Sequence, residues 1–327
     1  MRPKVLITVG LCCAALLVVP TAVASAGSTH TGVVVSVESG PYGKVLVVGG
    51  SGAGPYPAGS SLYFPTVDPP AVGTQVTEPY RAGCTTALVT TPKGKQLSCT
   101  GPETDRKADW PALTTDGPPV GGSGINPYAL GDVYRADLGA FQVTYAGHPL
   151  YLFDPGPHSF FGANFYETVG PLPPWHTAWF LMSPAGLPAT GPANLEVEAP
   201  QTGTTYSTTE LATEMLPNAV RGGVAVSVYS FSKDSETASR CSWSCARDFI
   251  PLDTVGTPTF TTGVDATAIG MITRPDGSQQ VTYNGHPLYI YSQERPLVGV
   301  RGPVTTGTAG NGNGTIAFGG TFSLVSP

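Results

Sequence analysis

Charge is scarce in this sequence. Charged residues make up 12% of its 327 positions, and 16 Lys and Arg stand against 22 Asp and Glu, a net charge of −6. With no basic patch to displace counterions, nucleic acid is excluded as a partner and so is an anionic membrane surface. Histidine is rarer still, at five residues. Long stretches with the 3.6-residue period of amphipathic helices are missing. Beyond the N-terminal segment no apolar run is long enough to span a bilayer, so the mature chain carries no transmembrane segment. Recognisable catalytic signatures are missing too: no Gly-x-Ser-x-Gly, no His-Glu-x-x-His, no Gly-rich loop leading into a helix. No motif calls for a cofactor, and the chain reads as a non-enzyme.

What is plentiful is turn chemistry. Gly and Pro number 42 and 33, close to but below the level at which low-complexity disorder becomes the default. Interspersed Val, Leu, Tyr and Phe supply apolar surface for two small cores. Turn-rich β structure fits this mixture best.

One phrase is used twice. Gln142-Val143-Thr144-Tyr145-Ala146-Gly147-His148-Pro149-Leu150-Tyr151 returns as Gln280-Val281-Thr282-Tyr283-Asn284-Gly285-His286-Pro287-Leu288-Tyr289, with one difference in ten positions. A strand-like run, a two-residue Ala-Gly or Asn-Gly turn and a second strand-like run predict a β-hairpin, because a type I′ turn needs positive φ at both central residues. The fold class expected is therefore all-β: two tandem duplicated β domains built from hairpin half-units, packed as sandwich, open barrel or propeller-like ring. The expected divisions are a secretory signal peptide at 1–26, a first β-repeat domain at 33–190, a linker and entry segment at 191–222, and a second domain at 223–327.

The signal peptide rests on Arg2 and Lys4, an apolar run from Val5 to Val19, Pro20, and the small-residue pattern Ala24-Ser25-Ala26, with cleavage after Ala26. Cys12 and Cys13 lie mid-run, and Leu11 stands where a lipoprotein signal wants a small residue. Lipidation is therefore not expected. The mature chain keeps Cys84, Cys99, Cys241 and Cys245. Four cysteines allow three connectivities; the repeat selects Cys84 with Cys99 and Cys241 with Cys245, since each copy contributes one pair to the same segment. Export into an oxidising compartment favours disulfides over free thiols. Between the copies, Thr209 to Asn218 is rich enough in Glu, Leu, Ala and Met to predict a short helix, while part of the same region should form the entry strand of copy two.

Each copy carries two Leu/Val-Tyr strands, at Tyr63 and Tyr151 in copy one and Tyr229 and Tyr289 in copy two. Read as Tyr-x-(Phe/Trp/Tyr)-x-x-Asp, the pattern is complete at Tyr229, Phe231 and Asp234. At Tyr289, Tyr291 and Glu294 a Glu replaces the Asp. Tyr63 and Asp68 keep the ends with Pro65 at the aromatic place, and Tyr151 with Phe153 has Gly156 at the acidic place and Asp154 nearby. Together with the Cys…Cys…Trp-Pro-x-Leu element and the Gly-x-Pro-Leu-Tyr phrase, these residues resemble a bacterial secreted-repeat or predicted-lipoprotein family of unknown function, over roughly Tyr42 to Pro327.

The alternating motif aromatics share one strand face and are expected in the core. The acids, past the strand ends, are expected to accept hydrogen bonds from turn amides. Calcium is disfavoured because the ligand-rich loop it prefers is missing. His148 and His286 occupy equivalent places beside the two turns and are candidate metal or haem ligands. The function expected is binding or scaffolding at the cell envelope, secreted or envelope-associated, with an envelope glycan or protein as partner. The alternative is a redox-associated or metal- or haem-binding envelope protein using the two histidines. Mass spectrometry of the exported, non-reduced protein is expected to find Gly27 at the N-terminus and no lipid; a diacylglyceryl group on Cys12 or Cys13 would refute the cleavage site.

Overall fold

The computed structural model describes residues 32–71, 80–90, 94, 96–101, 110–153, 157–160, 162–163, 165–166, 177–198, 209–215, 224–294 and 310–327. The signal peptide, Asp154 and Gly156 lie outside them. The fold is all-β. Among the described residues the helices are a five-residue turn, Ser244–Asp248, and a single 3₁₀ turn, Ala266–Ala268.

Each copy repeats the same three sheets. The repeated phrase forms the predicted hairpin: Ala140–Tyr145 pairs with His148–Pro149, and Gln279–Tyr283 with His286–Pro287, both antiparallel. Their turns carry positive φ at both central residues, 50° and 83° at Ala146 and Gly147, 48° and 77° at Asn284 and Gly285. This is the type I′ geometry that matches strand twist. The neighbours complete equivalent sheets, Leu130–Arg135 and Thr114–Thr115 in copy one, Ile269–Thr273 and Asp253–Thr254 in copy two.

The second arm of the hairpin is shorter than the sequence suggested. After Pro149 or Pro287 the chain leaves the hairpin sheet and enters another, where Tyr151 bridges Tyr63 and Ala112, and Tyr289 pairs with Tyr229 and Pro251. A prolyl residue has no N–H to continue the ladder, so it marks the switch. Copy two thereby assembles a five-stranded sheet in which Tyr289–Tyr291 lies between Phe249–Pro251 and Tyr229–Phe231, and Gly320–Leu324 flanks the latter. In copy one Tyr63–Pro65 pairs with Ala178–Met182 in the corresponding way.

The third sheet of each copy is its entry. Val34–Gly40 pairs antiparallel with Gly43–Val48 and parallel with Val120–Gly121; Asn194–Glu198 pairs antiparallel with Glu210–Met215 and parallel with Thr259–Phe260. Of the helix expected over Thr209 to Asn218, the described part is a strand, Glu210–Met215, and 216–218 lie outside the described residues. Its Ala, Glu and Leu favour helix in isolation, but pairing on both sides, with Asn194–Glu198 and Val224–Ser227, and full burial of Leu211 and Ala212 override that preference.

Strand alternation sorts the core. Leu150 and Leu152 point one way and Tyr151 the other; the same holds for Leu288 and Ile290 against Tyr289. The aliphatic set, with Val35, Leu46, Phe180, Leu195, Leu211, Val228 and Val281, joins both copies in one continuous core rather than two small ones. The tyrosines face outward into an aromatic cluster private to each copy. In copy one Trp110 stacks on Trp179 at 3.9 Å; in copy two Phe249 stacks on Phe322 at 3.6 Å. Each cluster also takes in its own disulfide, Cys84–Cys99 or Cys241–Cys245, the pairing that the repeat predicts. The copies differ most between those cysteines, 15 residues apart in one and 4 in the other. The longer loop carries a small hairpin of Val89–Thr90 with Gln96–Leu97.

Candidate functional site

The motif tyrosines face each other across antiparallel pairs, and their acids cross over. Tyr289 Oη donates to Asp234 Oδ2 at 2.6 Å, although Asp234 belongs to the motif that starts at Tyr229. Tyr229 Oη in turn donates to Glu294 Oε2 at 2.6 Å. In copy one Tyr151 Oη donates to Asp68 Oδ2 at 2.5 Å. Each acid lies five residues beyond one tyrosine and serves the other. In copy two the two half-units are thereby latched reciprocally.

The remaining carboxylate oxygens accept backbone amides, as Asp was expected to do; the amide is close in sequence for Asp234 and comes from another segment for Asp68 and Glu294. Asp68 Oδ1 receives Gly83 N and Cys84 N, both at 2.8 Å; Asp234 Oδ1 receives Arg240 N at 2.6 Å; Glu294 Oε1 receives Ser227 N at 2.8 Å. In Asp68 and Asp234 the acid therefore anchors the start of the cysteine loop. The fourth site, Tyr63, has its hydroxyl bonded to Ser159 O at 3.3 Å and receives Gly162 N at 3.4 Å. Phe231 is buried in the copy-two cluster, while Phe153 and Tyr291, partly buried, pack against the clusters of copies one and two.

An arginine in each copy closes the network. Arg135 is fully buried, and its five N–H donors are all used. They reach Asp137 twice at 2.8 Å, Gln142 Oε1 at 2.5 Å, Tyr151 Oη at 2.9 Å and Cys84 O at 2.7 Å. Arg274 repeats the pattern with Gln280 Oε1 at 2.7 Å and Cys241 O at 2.9 Å. It meets the tyrosine indirectly: Ser239 Oγ receives Arg274 at 2.8 Å and lies 2.7 Å from Tyr289 Oη. Both glutamines return their amide to the hairpin, to Leu150 O and Leu288 O at 2.8 Å. Sequence reasoning passed over this Arg and Gln. The signal was present, an Arg-x-Asp shortly before each phrase and a Gln opening each phrase.

Burial sets the protonation states. It raises Asp68 and Asp234, against the opposing pull of their hydrogen bonds and of Arg135 and Arg274. Glu294, fully enclosed, is pushed up to about 7. The tyrosines are raised far beyond their ordinary range by the same desolvation, with the neighbouring acid adding to it at Tyr151, Tyr229 and Tyr289. They remain hydroxyl donors at any physiological pH. Burial opposes ionisation of Asp137 as well, yet the Arg135 hydrogen bonds and charge win and hold its carboxyl low.

The two repeat histidines stand in unlike surroundings. His148 is buried against the Phe64 ring at 4.6 Å, and burial together with the Arg247 charge pushes it down to about 4. His286 is exposed. Among the described residues no group of three or more His, Cys, Asp or Glu is placed to hold a metal ion. His148 instead lines a cleft of about 190 Å³ where the copies meet, with Phe64 and Leu187 on one side and Arg247, Asp248 and Gln293 on the other.

Two outcomes test the network. Removing a partner from a buried pair leaves the other polar group unsatisfied, so Asp234→Ala is expected to cost about 1 to 3 kcal/mol. In a double-mutant cycle with Tyr289→Phe the two losses should overlap by about 1 kcal/mol or more, measured by denaturant unfolding; additive losses, or a loss reproduced by chelator alone, would contradict the latch. For Glu294 the folded value of about 7 lies above the ordinary 4.5, so its contribution is fully present below pH 4.5 and is lost as pH rises through 7. Thermal scans should show the advantage of wild type over Glu294→Gln shrinking from pH 5 to pH 8, by on the order of 3 kcal/mol.

Comparison with known proteins adds one match. No curated protein and no solved structure matches the chain. A family profile described as a secreted repeat of unknown function matches residues 270–295. That stretch holds Arg274, Gln280, Tyr289 and Glu294, the arginine, glutamine, tyrosine and acid of the copy-two network. Residues 270–295 of this chain thus match the secreted-repeat family that the tyrosine-to-acid motifs and the hairpin phrase resemble.

Proposed function

We propose that the chain is a secreted, non-enzymatic module that binds a glycan or protein of the cell envelope, with repeat units 33–190 and 223–327 as its scaffold and 191–222 as linker and entry segment. The observation that carries this reading is the inward direction of the motif. Its hydroxyls and carboxyls are bonded to one another and to backbone amides, in a buried network with the arginines. A nucleophile or general base needs an open approach for substrate, and groups consumed in this way brace a fold instead.

What remains for function is surface. Among the described residues the exposed aromatic side chains are Tyr128, Trp243, Phe260, Phe318 and the edge-packed pair Tyr134 and Phe141, whose rings lie 5.3 Å apart. Aromatic rings on a rigid β frame present contact area at little conformational loss, which suits binding rather than turnover.

The test is co-sedimentation of the mature protein with isolated cell-wall glycan and with solubilised envelope protein from the producing cell. Saturable binding to one fraction, unchanged by chelator and leaving that fraction chemically intact, is the expected result. Release of soluble products from either fraction, or failure to saturate with both, would overturn the proposal.

A further inference from the structure

The cleft where the copies meet carries on its wall a polar group with nothing to bond. His148 lines it, is only 8% exposed, packs against the Phe64 ring, and has no hydrogen-bond partner among the described residues. An imidazole buried in this way forgoes the hydrogen bonds it would make in water. The hairpin does not demand that burial, because His286 holds the equivalent place in copy two and is exposed. His148 stands where a partner from outside the chain would satisfy it. Its ring is neutral, since burial and the Arg247 charge hold its pKa down, and a neutral imidazole offers one N–H donor and one nitrogen acceptor.

The rest of the lining narrows the ligand by polarity, size and charge. Phe64, Val67, Pro69, Leu187, Pro188 and Ile250 make the wall largely apolar. A volume of about 190 Å³ takes one six-membered ring with a small substituent, given that an apolar cavity of about 150 Å³ binds benzene. Four ionisable groups line the cleft: Asp68, His148, Arg247 and Asp248. Arg247 and Asp248 lie 3.4 Å apart and offset each other. Asp68 is 5% exposed, and its oxygens are taken up by Tyr151 Oη and by the Gly83 and Cys84 amides, with the charge of Arg135 set against its own. Two acids thus face two guanidiniums, and the ligand is uncharged. A sugar would set most of its hydroxyls against apolar wall. A flat ring with one hydroxyl meets all three constraints, its face on the apolar wall and its O–H donating to the free imidazole nitrogen.

We propose that the cleft between the copies binds a small uncharged phenol, held by a hydrogen bond to His148. This site goes beyond the envelope-binding role and does not depend on it. It uses the histidine of copy one alone, because His286 lies in the open.

Titration of the mature protein at pH 7 with p-cresol, toluene and benzoate, followed by calorimetry and by the imidazole signals in NMR spectra, tests it. The p-cresol is expected to saturate the protein and to bind at least tenfold more tightly than toluene or benzoate, while shifting the His148 signals and leaving those of His286 in place. His148→Phe keeps a ring against Phe64 and removes the acceptor, so it should bind p-cresol and toluene equally. Leu187→Trp, in the half-buried wall, should fill the cleft and abolish binding of both, with melting temperature reporting that each variant folds. N-acetyltyrosine amide, the same ring on a peptide backbone, should bind no more tightly than p-cresol; tighter binding would assign the cleft to a tyrosine of a partner chain and overturn the free phenol. Failure of p-cresol to saturate, equal affinity of wild type for toluene, a shift at His286 in place of His148, or undiminished binding of p-cresol by folded Leu187→Trp would each overturn the site. The wild-type signals decide the matter even where a variant fails to fold.

Discussion

A carboxyl group enclosed in a protein destabilises it unless hydrogen bonds replace the water it has lost. The rest of this structure follows from how that requirement is met. Each acid lies past the end of its own strand and reaches the tyrosine of the facing strand, so one half-unit cannot satisfy itself. Tyr229 needs Glu294, and Tyr289 needs Asp234. The smallest unit in which no acid is stranded is a pair of half-units in one register, with Tyr229 opposite Tyr289. A slip by one residue would turn both hydroxyls to the aliphatic face and leave both acids unpaired. Register is thereby fixed by polar chemistry as well as by hydrophobic pattern.

The arginine extends this constraint from one sheet to the next. Arg135 and Arg274 stand at the ends of hairpin strands and bond the glutamine of that sheet, the carbonyl of the first cysteine and, directly or through Ser239, the tyrosine network. A buried guanidinium with unused donors would be a liability. Arg135 has none, while Arg274 Nε sits 3.9 Å from Asp276 and lacks a close partner. Copy one is in this respect the more complete version, and copy two the looser one.

Much of this was legible in the sequence because it is local. The all-β class, the Asn-Gly and Ala-Gly turns and the two disulfide pairs follow from residues near one another or from the duplication itself. The crosswise partners were not legible, since Asp234 and Tyr289 are far apart in the chain and a motif written along one strand suggests that its ends serve each other. Glu210–Met215 was misread for a related reason: its residues favour helix, and the strands on either side of it decide otherwise. The exposure of Trp243 could not be read at all, because an aromatic residue between two cysteines is as easily core as surface. Its left-handed backbone is a property of a closed loop, and no residue preference for Trp announces it.

The two copies diverge where the latch permits. Tyrosine, acid, arginine and glutamine recur in corresponding roles, and the strands that carry them pair in the same order in both copies. The segment between the cysteines is tied to that frame near its root, by Asp68 receiving Gly83 and Cys84 amides, by Asp234 receiving that of Arg240, by the two arginines on the carbonyls of Cys84 and Cys241, and in copy one by Thr86 bonding Asp137. Everything beyond the root is free to differ: a hairpin in copy one, and in copy two a short loop that ends in an exposed indole. A frame that satisfies its polar groups internally leaves its loops under no obligation to the core. That independence lets one duplicated fold carry two unlike surfaces, and it puts the chemistry of recognition in the loops rather than in the motif.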